Sequence, residues 1–91
     1  MNKQDLIRIV ANNSELTQRD VSIMLDSTLD AIMSAVAAGE KVQLVGFGSF
    51  EAKERSARIG RNPRTGEEIE LPATTVPAFH PGVLFKEKVA R

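Results

Sequence analysis

The most distinctive chemistry in this sequence is a set of cations gathered around a proline. Between Arg55 and Gly66 the chain carries four arginines and no acidic residue, and Lys53 lies just upstream. Guanidinium groups form forked hydrogen bonds to phosphate and suit narrow minor grooves. Pro63 lies inside this run, where its rigid apolar ring could wedge between base pairs. These residue types favour a nucleic-acid-binding segment.

Two alternative interpretations of the segment stay open. Lysines and arginines are common on exposed sheet edges, where charge prevents aggregation. A charged hairpin can also dock an acidic partner or pair with a foreign strand, which would make the chain a protein-interaction module. Recognition of single strands or RNA by base stacking is disfavoured, because the sequence has no Trp or Tyr and its four Phe lie in apolar contexts.

The other candidate groups do not form a catalytic site. Gly46-Phe47-Gly48 resembles half of a phosphate-binding loop, but without the full spacing and a following helix it predicts a structural turn. His80, the only histidine, lacks neighbouring metal ligands. Glu67, Glu68 and Glu70 are interpreted as solvated partners of the nearby cations, and no serine has a base beside it in sequence. We therefore expect that the chain is not an enzyme and that it has neither a metal site nor a cofactor.

A β-hairpin is the element that would position the cations. Asn62 can open a turn, Pro63 has a preset φ, and Gly66 can adopt a positive φ. The return side, residues 68–71, alternates charged and apolar residues with the period of a strand. Because this hairpin offers little apolar surface, we expect it to project from the body as an arm.

Two helices precede the strands. Asn2 and Asp5 have the capping-box spacing for a first helix. Thr17 is the expected N-cap of a second helix, which runs to about residue 38 and ends at Gly39. The apolar stripe of the second helix, which includes Leu29 and Ile32, is wide enough to face both its own domain and a second subunit.

Strands and a final helix complete the chain. Residues 42–44 form a short strand, and the glycine turn after it leads into the strand that enters the arm. The return strand contains Pro72 and ends at Pro77, so it should lie at a sheet edge or be bulged. Residues 82–89 predict a short helix with three residues turned inward: Leu84, Phe85 and Val89. The fold class is α+β, with two N-terminal helices, a three-stranded antiparallel sheet with its arm, and a short C-terminal helix.

The bulk properties indicate one small domain. A chain of 91 residues with a projecting arm has few residues left for a core, which argues for a dimer. Its helical dimerisation part spans about residues 1–39, the sheet and arm about 41–77, and the C-terminal helix about 82–90. The net charge is zero, there is no cysteine, and no apolar run is long enough to span a bilayer. We expect no membrane partner, no signal peptide and a cytoplasmic location.

Several motifs together resemble the bacterial HU / integration host factor family of histone-like DNA-binding proteins. The resemblance covers nearly the whole chain and is most specific in Gly46-Phe47-Gly48-Ser49-Phe50 and in Gly60-Arg61-Asn62-Pro63-Arg64-Thr65-Gly66. It implies an intertwined dimer with two arms that embrace duplex DNA. Such a protein would bend and compact DNA in the nucleoid with little sequence specificity. We further expect bent, nicked or gapped duplex to bind more tightly, because part of the bending cost has then already been met.

The resemblance also implies a role for each matching residue. Pro63 would insert at a base step, with Asn62 and Thr65 close to the minor groove. The implied arm contacts to DNA are Lys53, Arg55, Arg58, Arg61 and Arg64. Flanking DNA would meet Lys3, Lys86 and Lys88. The implied shared aromatic core is Phe47, Phe50 and Phe79.

The sequence also departs from the family pattern. Members are usually strongly basic, whereas this chain is neutral, and Val83 and Thr75 stand where many members carry a cation. We therefore expect weaker or more salt-sensitive binding. His80-Pro81-Gly82 is closer to the integration host factor branch, so a sequence-selective subunit that pairs with a paralogue is an alternative to a homodimer. Residues 72–74 and 76–79 are closer to HU, which is the favoured branch.

Overall fold

The computed structural model describes all residues from Met1 to Arg91, and they form two compact units, residues 1–34 and 35–91. The first unit contains helix α1 (Lys3–Ser14) and most of helix α2 (Gln18–Ala37). Ile7, Ala11 and Val21 form its buried cluster, with Leu25 packed against them. On each helix the two residues lie four positions apart, so they share the face that packs against the neighbouring helix.

Side-chain caps begin both helices. The Asp5 N–H donates to Asn2 Oδ1 over 2.9 Å, and the Asn2 N–H donates to Asp5 Oδ2 over 3.2 Å. The Asp20 N–H donates to Thr17 Oγ1 over 3.1 Å. These bonds satisfy backbone donors that have no partner within the helix, and they confirm both predicted starts. Helix α2 ends at Ala37, and Gly39 follows with a φ of 90°.

The second unit contains five strands and the last helix. Strands β1 (Val42–Leu44), β2 (Gly48–Arg55) and β5 (Thr74–Pro81) form an antiparallel sheet in the order β1-β2-β5. Strands β3 (Arg58–Arg61) and β4 (Glu68–Leu71) form a separate two-stranded antiparallel sheet. Helix α3 (Val83–Val89) follows β5. The α+β class and the hairpin within it are confirmed.

The glycine turn between β1 and β2 is structural. The Phe47 N–H donates to the Leu44 carbonyl over 3.0 Å, and Gly46 has a φ of 87°. At Gly48 an added Cβ would lie 2.6 Å from the His80 carbonyl oxygen and 2.7 Å from the Phe79 ring. The backbone of β5 and an aromatic ring therefore occupy the space that any side chain at position 48 would need.

Two expectations about the end of the chain are wrong. The return strand does not end at Pro77 but continues to Pro81, because β5 is an edge strand and a proline there need not remove a ladder hydrogen bond. The predicted edge position itself is confirmed. Leu84 and Val89 are not turned inward but are 64% and 61% exposed, because no other part of this single chain covers them. Of the three residues predicted to turn inward (Leu84, Phe85 and Val89), only Phe85 is half-buried.

Candidate nucleic-acid interface

The outer half of the arm is the β3–β4 hairpin, whose register assigns each side chain to a face. Arg58 pairs with Leu71 and Arg61 pairs with Glu68. Because side chains alternate along a strand, the hairpin has two chemically different faces. One face carries Arg58, Gly60, Ile69 and Leu71, and the other carries Ile59, Arg61, Glu68 and Glu70. Carboxylates are therefore confined to one face of the paired strands.

The tip loop, residues 62–67, is organised by hydrogen bonds around Asn62. The Asn62 N–H donates to the Glu67 carbonyl over 2.8 Å, and the Gly66 N–H donates to the Asn62 carbonyl over 2.7 Å. Asn62 Oδ1 accepts from the Arg64 N–H at 2.9 Å. Gly66 has a φ of 74°, as a residue leaving a tight turn requires. These features confirm the predicted turn and leave Pro63 exposed within the loop.

The inner half of the arm contributes two further cations. Lys53 and Arg55 are in β2, opposite Val76 and Thr74 of β5, and they lie on one face of that strand pair. Glu54, between them, belongs to the opposite face. The continuous outgoing and return strands expected from the sequence are each interrupted, because no ladder bonds join Ser56-Ala57 to Pro72-Ala73.

A shallow groove of about 690 Å³ opens at this interruption. Three cations and no carboxylate line it: its residues are Lys53, Arg55, Ser56, Ala57, Arg58, Leu71, Pro72 and Thr74. An acid-free concave surface with two guanidinium groups and one ammonium group suits phosphate oxygens. The groove therefore connects the cations of the inner arm with the first cation of the outer arm.

The arm cations (Lys53, Arg55, Arg58, Arg61 and Arg64) form no ion pairs. The ion pairs in the structure are Lys3–Asp26, Arg8–Asp5 and His80–Glu51. Glu68 lies opposite Arg61 in the register, yet neither it nor Glu67 or Glu70 pairs with an arm cation. An exposed ion pair gains little over hydration, so these side chains can stay solvated. The arm cations are consequently available to an outside anion.

The three predicted flank cations differ in their surroundings. Lys3 forms an ion pair with Asp26 in the first unit. Lys86 and Lys88 lie in the last turn of α3 and have no ion-pair partner. Cations in this position interact favourably with the carboxyl end of a helix. Lys3 is therefore already engaged with a carboxylate of its own chain, whereas Lys86 and Lys88 are not.

An aromatic cluster lies at the base of the sheet. Phe50 and Phe79 are opposite each other in β2 and β5, with ring centroids 4.8 Å apart. Phe47 lies 5.3 Å from both Phe79 and Phe85. Phe85 also belongs to this cluster, although the aromatic core implied by the resemblance did not include it. Its place among the apolar residues of the final helix was the feature of the sequence that could have indicated this. The two predicted helix members of the dimer core, Leu29 and Ile32, are exposed and half-buried respectively in the single chain.

His80 makes a local polar contact. Its Nε2 lies 2.9 Å from Glu51 Oε1, and both side chains are partly exposed. No group of three or more His, Cys, Asp or Glu side chains is arranged to hold a metal ion. None of the helices has the length and apolar character needed to cross a membrane.

Comparison with known proteins places these features in a family. A family described as bacterial DNA-binding protein matches residues 1–90. The chain is 57% identical over 90 residues to DNA-binding protein HU 1 of Bacillus subtilis, covering 99% of this chain and 98% of the relative. It is 53% identical over 90 residues to DNA-binding protein HU of a Nostoc species, covering 99% and 96%.

Solved structures agree with the sequence relatives. An Anabaena HU–DNA cocrystal structure matches with a TM-score of 0.94 at 53% identity, covering 99% of this chain and 98% of that chain. HU from Thermotoga maritima matches with a TM-score of 0.70 at 39% identity, covering 99% and 100%. The family consists of DNA-binding architectural proteins and not of enzymes. The chain therefore belongs to the bacterial DNA-binding protein family of HU, as its motifs indicated.

Proposed function

We propose that this chain acts as a dimeric architectural protein that binds duplex DNA through the minor groove, bends it and compacts it, with little sequence specificity. The observation that carries the proposal is the arm, where four unpaired strand cations lead to a loop that contains a fifth, Arg64, beside an exposed proline. The solved Anabaena relative is an HU–DNA complex, which supports the same ligand here. Acting on chromosomal DNA would locate the protein in the bacterial nucleoid.

A second subunit accounts for the apolar surface of the single chain. Val36 is the only buried apolar residue of the unit that contains the sheet. Phe47, Leu84 and Val89 are 46%, 64% and 61% exposed in that unit. Met33 of α2 is 62% exposed. Burial of such surface gains roughly 25 cal/mol per Å², so a partner that covers these side chains would stabilise the fold. A homodimer is the simplest source of that partner, and a paralogue could replace one copy.

Binding would combine electrostatic contacts to phosphates with insertion of Pro63 between neighbouring base pairs. Each phosphate neutralised by an arm cation releases condensed counterions, and this release supplies most of the binding free energy. Pro63 of each arm would enter one base step and unstack it, at a cost of a few kcal/mol. The resulting bend brings flanking DNA toward the body, where Lys86 and Lys88 are unpaired. A nicked, gapped or already bent duplex has met part of the bending cost and should bind more tightly.

The test is an anisotropy titration of linear and nicked duplex of one sequence at several salt concentrations. We expect salt-dependent binding that favours the nicked duplex, and a clear reduction of that preference for Pro63→Ala. Pro77→Ala is the matched control, because Pro77 lies in the edge strand β5 away from the tip loop. The control should keep the wild-type preference. Failure to bind either duplex at low salt would contradict DNA binding and favour docking to a protein partner.

A further inference from the structure

His80 and Glu51 lie on the same face of the sheet as two of the arm cations. In the ladder, His80 of β5 is opposite Ser49 of β2, and side chains directly opposite in an antiparallel pair point to the same side. Every second residue of a strand shares a side, so this face continues from Ser49 through Glu51, Lys53 and Arg55. We call it the cation face. It leads from the glycine turn to the acid-free groove of the arm.

Glu51 is the one carboxylate on the cation face. Glu54, the other carboxylate in the middle of β2, belongs to the opposite face, and neither β1 nor β5 contains Asp or Glu. An anion that follows the cation face from the groove past Lys53 therefore meets a single negative charge. The charge state of the Glu51 site decides how far along this face a phosphate backbone can bind.

The Glu51 carboxylate has one partner, the imidazole of His80. His80 Nε2 lies 2.9 Å from Glu51 Oε1. An ionised carboxylate only accepts, so Nε2 carries a hydrogen whether the ring is neutral or charged. In the neutral ring Nδ1 therefore has a lone pair and no hydrogen, whereas the protonated ring donates from both nitrogens. Nδ1 has no hydrogen-bond partner, and the His80 side chain is 52% exposed, so a ligand can reach it.

No other charged group pairs with this contact. On β1 the cation face carries Gln43, and Lys41, which precedes the strand, forms no ion pair. Helix α3 contributes only Val83 and Leu84 to the shallow groove beside His80. The two cations further along β2 are also unpaired. The net charge at this end of the cation face is consequently set by the protonation of His80.

We infer that Glu51 and His80 form a proton-controlled contact for a DNA phosphate, which extends the arm site along the cation face. Histidine changes its charge between about pH 5 and about pH 8. While the ring is neutral, the Glu51 carboxylate repels a phosphate there. The protonated ring offsets that carboxylate, and its Nδ1–H donates a charge-assisted hydrogen bond to a phosphate oxygen. The inference rests on the proposed DNA binding and adds a dependence on pH to it.

The test compares DNA affinity at two pH values. Anisotropy titrations of one linear duplex are made at about pH 8 and about pH 5.8, with the ionic strength held constant. An exposed charge pair changes an equilibrium by up to about fivefold, so a homodimer with two arms should bind roughly tenfold more tightly at the lower pH. His80→Gln keeps a polar side chain that cannot be protonated, and it should lose most of this change.

Two carboxylate variants separate a local contact from an effect of net charge. Glu51→Gln removes the repulsion at every pH, so at about pH 8 it should bind DNA more tightly than the wild type does. Glu54→Gln is the matched control, since it removes the same charge from the opposite face of the same strand. The control should keep the wild-type pH dependence and tighten binding less than Glu51→Gln does. Equal effects of the two variants would overturn the inference, because net charge alone would then explain them.

Nuclear magnetic resonance gives the reciprocal measurement. If protonation strengthens DNA binding, DNA binding must strengthen protonation by the same factor. His80 is the only histidine, so its ring signals are assigned without ambiguity. The pH at which the ring takes up its proton should rise by about half a unit when duplex is bound, which corresponds to about threefold in each arm. An unchanged midpoint would overturn the inference, as would a pH dependence of affinity that His80→Gln retains in full. Failure to bind duplex at either pH would instead refute the proposed function, on which the inference rests.

Discussion

Replacing Arg58 by alanine should reduce the salt dependence of DNA binding by a calculable amount. Arg58 lines the acid-free groove at the middle of the arm and has no ion-pair partner, so no carboxylate competes with a phosphate for it. Each neutralised phosphate contributes about 0.9 to the slope of log K against log salt. A homodimer loses one such contact in each arm, so the slope should become shallower by about 1.8.

The predicted change in slope can be measured as a difference in how much DNA affinity is lost when salt is added. Between 50 and 200 mM salt, the wild type should lose about twelvefold more affinity than Arg58→Ala does. The assay is an anisotropy titration of one linear duplex at four or more salt concentrations. Arg19→Ala is the matched control, since Arg19 is an unpaired arginine of α2 outside the arm, and its slope should equal that of the wild type. A slope that Arg58→Ala leaves unchanged would refute the assignment of Arg58 to a phosphate.

Two further changes test the body of the protein. Gly48→Ala should lower the free energy of unfolding by about 2 kcal/mol or more, because the new Cβ would lie 2.6 Å from the His80 carbonyl oxygen. Thermal denaturation should show this as a fall in Tm of about 10 °C, and an unchanged Tm would contradict the close approach. Asp26→Ala should release Lys3 for phosphate, steepening the salt slope by up to about 1.8 per homodimer. The same change should lower stability by less than about 1 kcal/mol, and an unaltered slope would show that Lys3 lies outside the DNA path.

The structural features that could be predicted from the sequence are those determined by a few residues close together in the chain. The cap at Asn2 and the cap at Thr17 each need one side-chain oxygen and a backbone N–H three residues later, so their spacing is visible in the sequence. The tip turn at Asn62 is equally local, since its bonds reach no further than Glu67. Local hydrogen-bonding chemistry was therefore enough to predict both helix starts and the shape of the tip.

The features that the sequence did not reveal depend on distant partners. Whether β5 stops at Pro77 is decided by β2, which continues to offer pairing residues as far as Gly48 opposite Pro81. The interruption of the arm at Ser56 likewise depends on a distant segment, because Pro72 and Ala73 of the return side form no ladder bonds with it. The exposure of Leu84 has the same origin, because periodicity shows that a helix has an apolar side but not which chain covers it.

A neutral net charge is compatible with DNA binding. Net charge sets the electrostatic field far from the protein, whereas binding depends on contacts between individual cations and phosphates. Counterion release depends on the phosphates that individual cations touch, and the arm cations are unpaired although the whole chain carries as many acidic as basic residues. Beyond a Debye length, about 8 Å at physiological ionic strength, DNA experiences only a screened field from this balanced chain. Long-range steering should therefore be weak, while the arms would keep the free energy of the phosphate contacts proposed for them. The neutral charge would accordingly reduce the rate of association more than it shortens the lifetime of the bound complex.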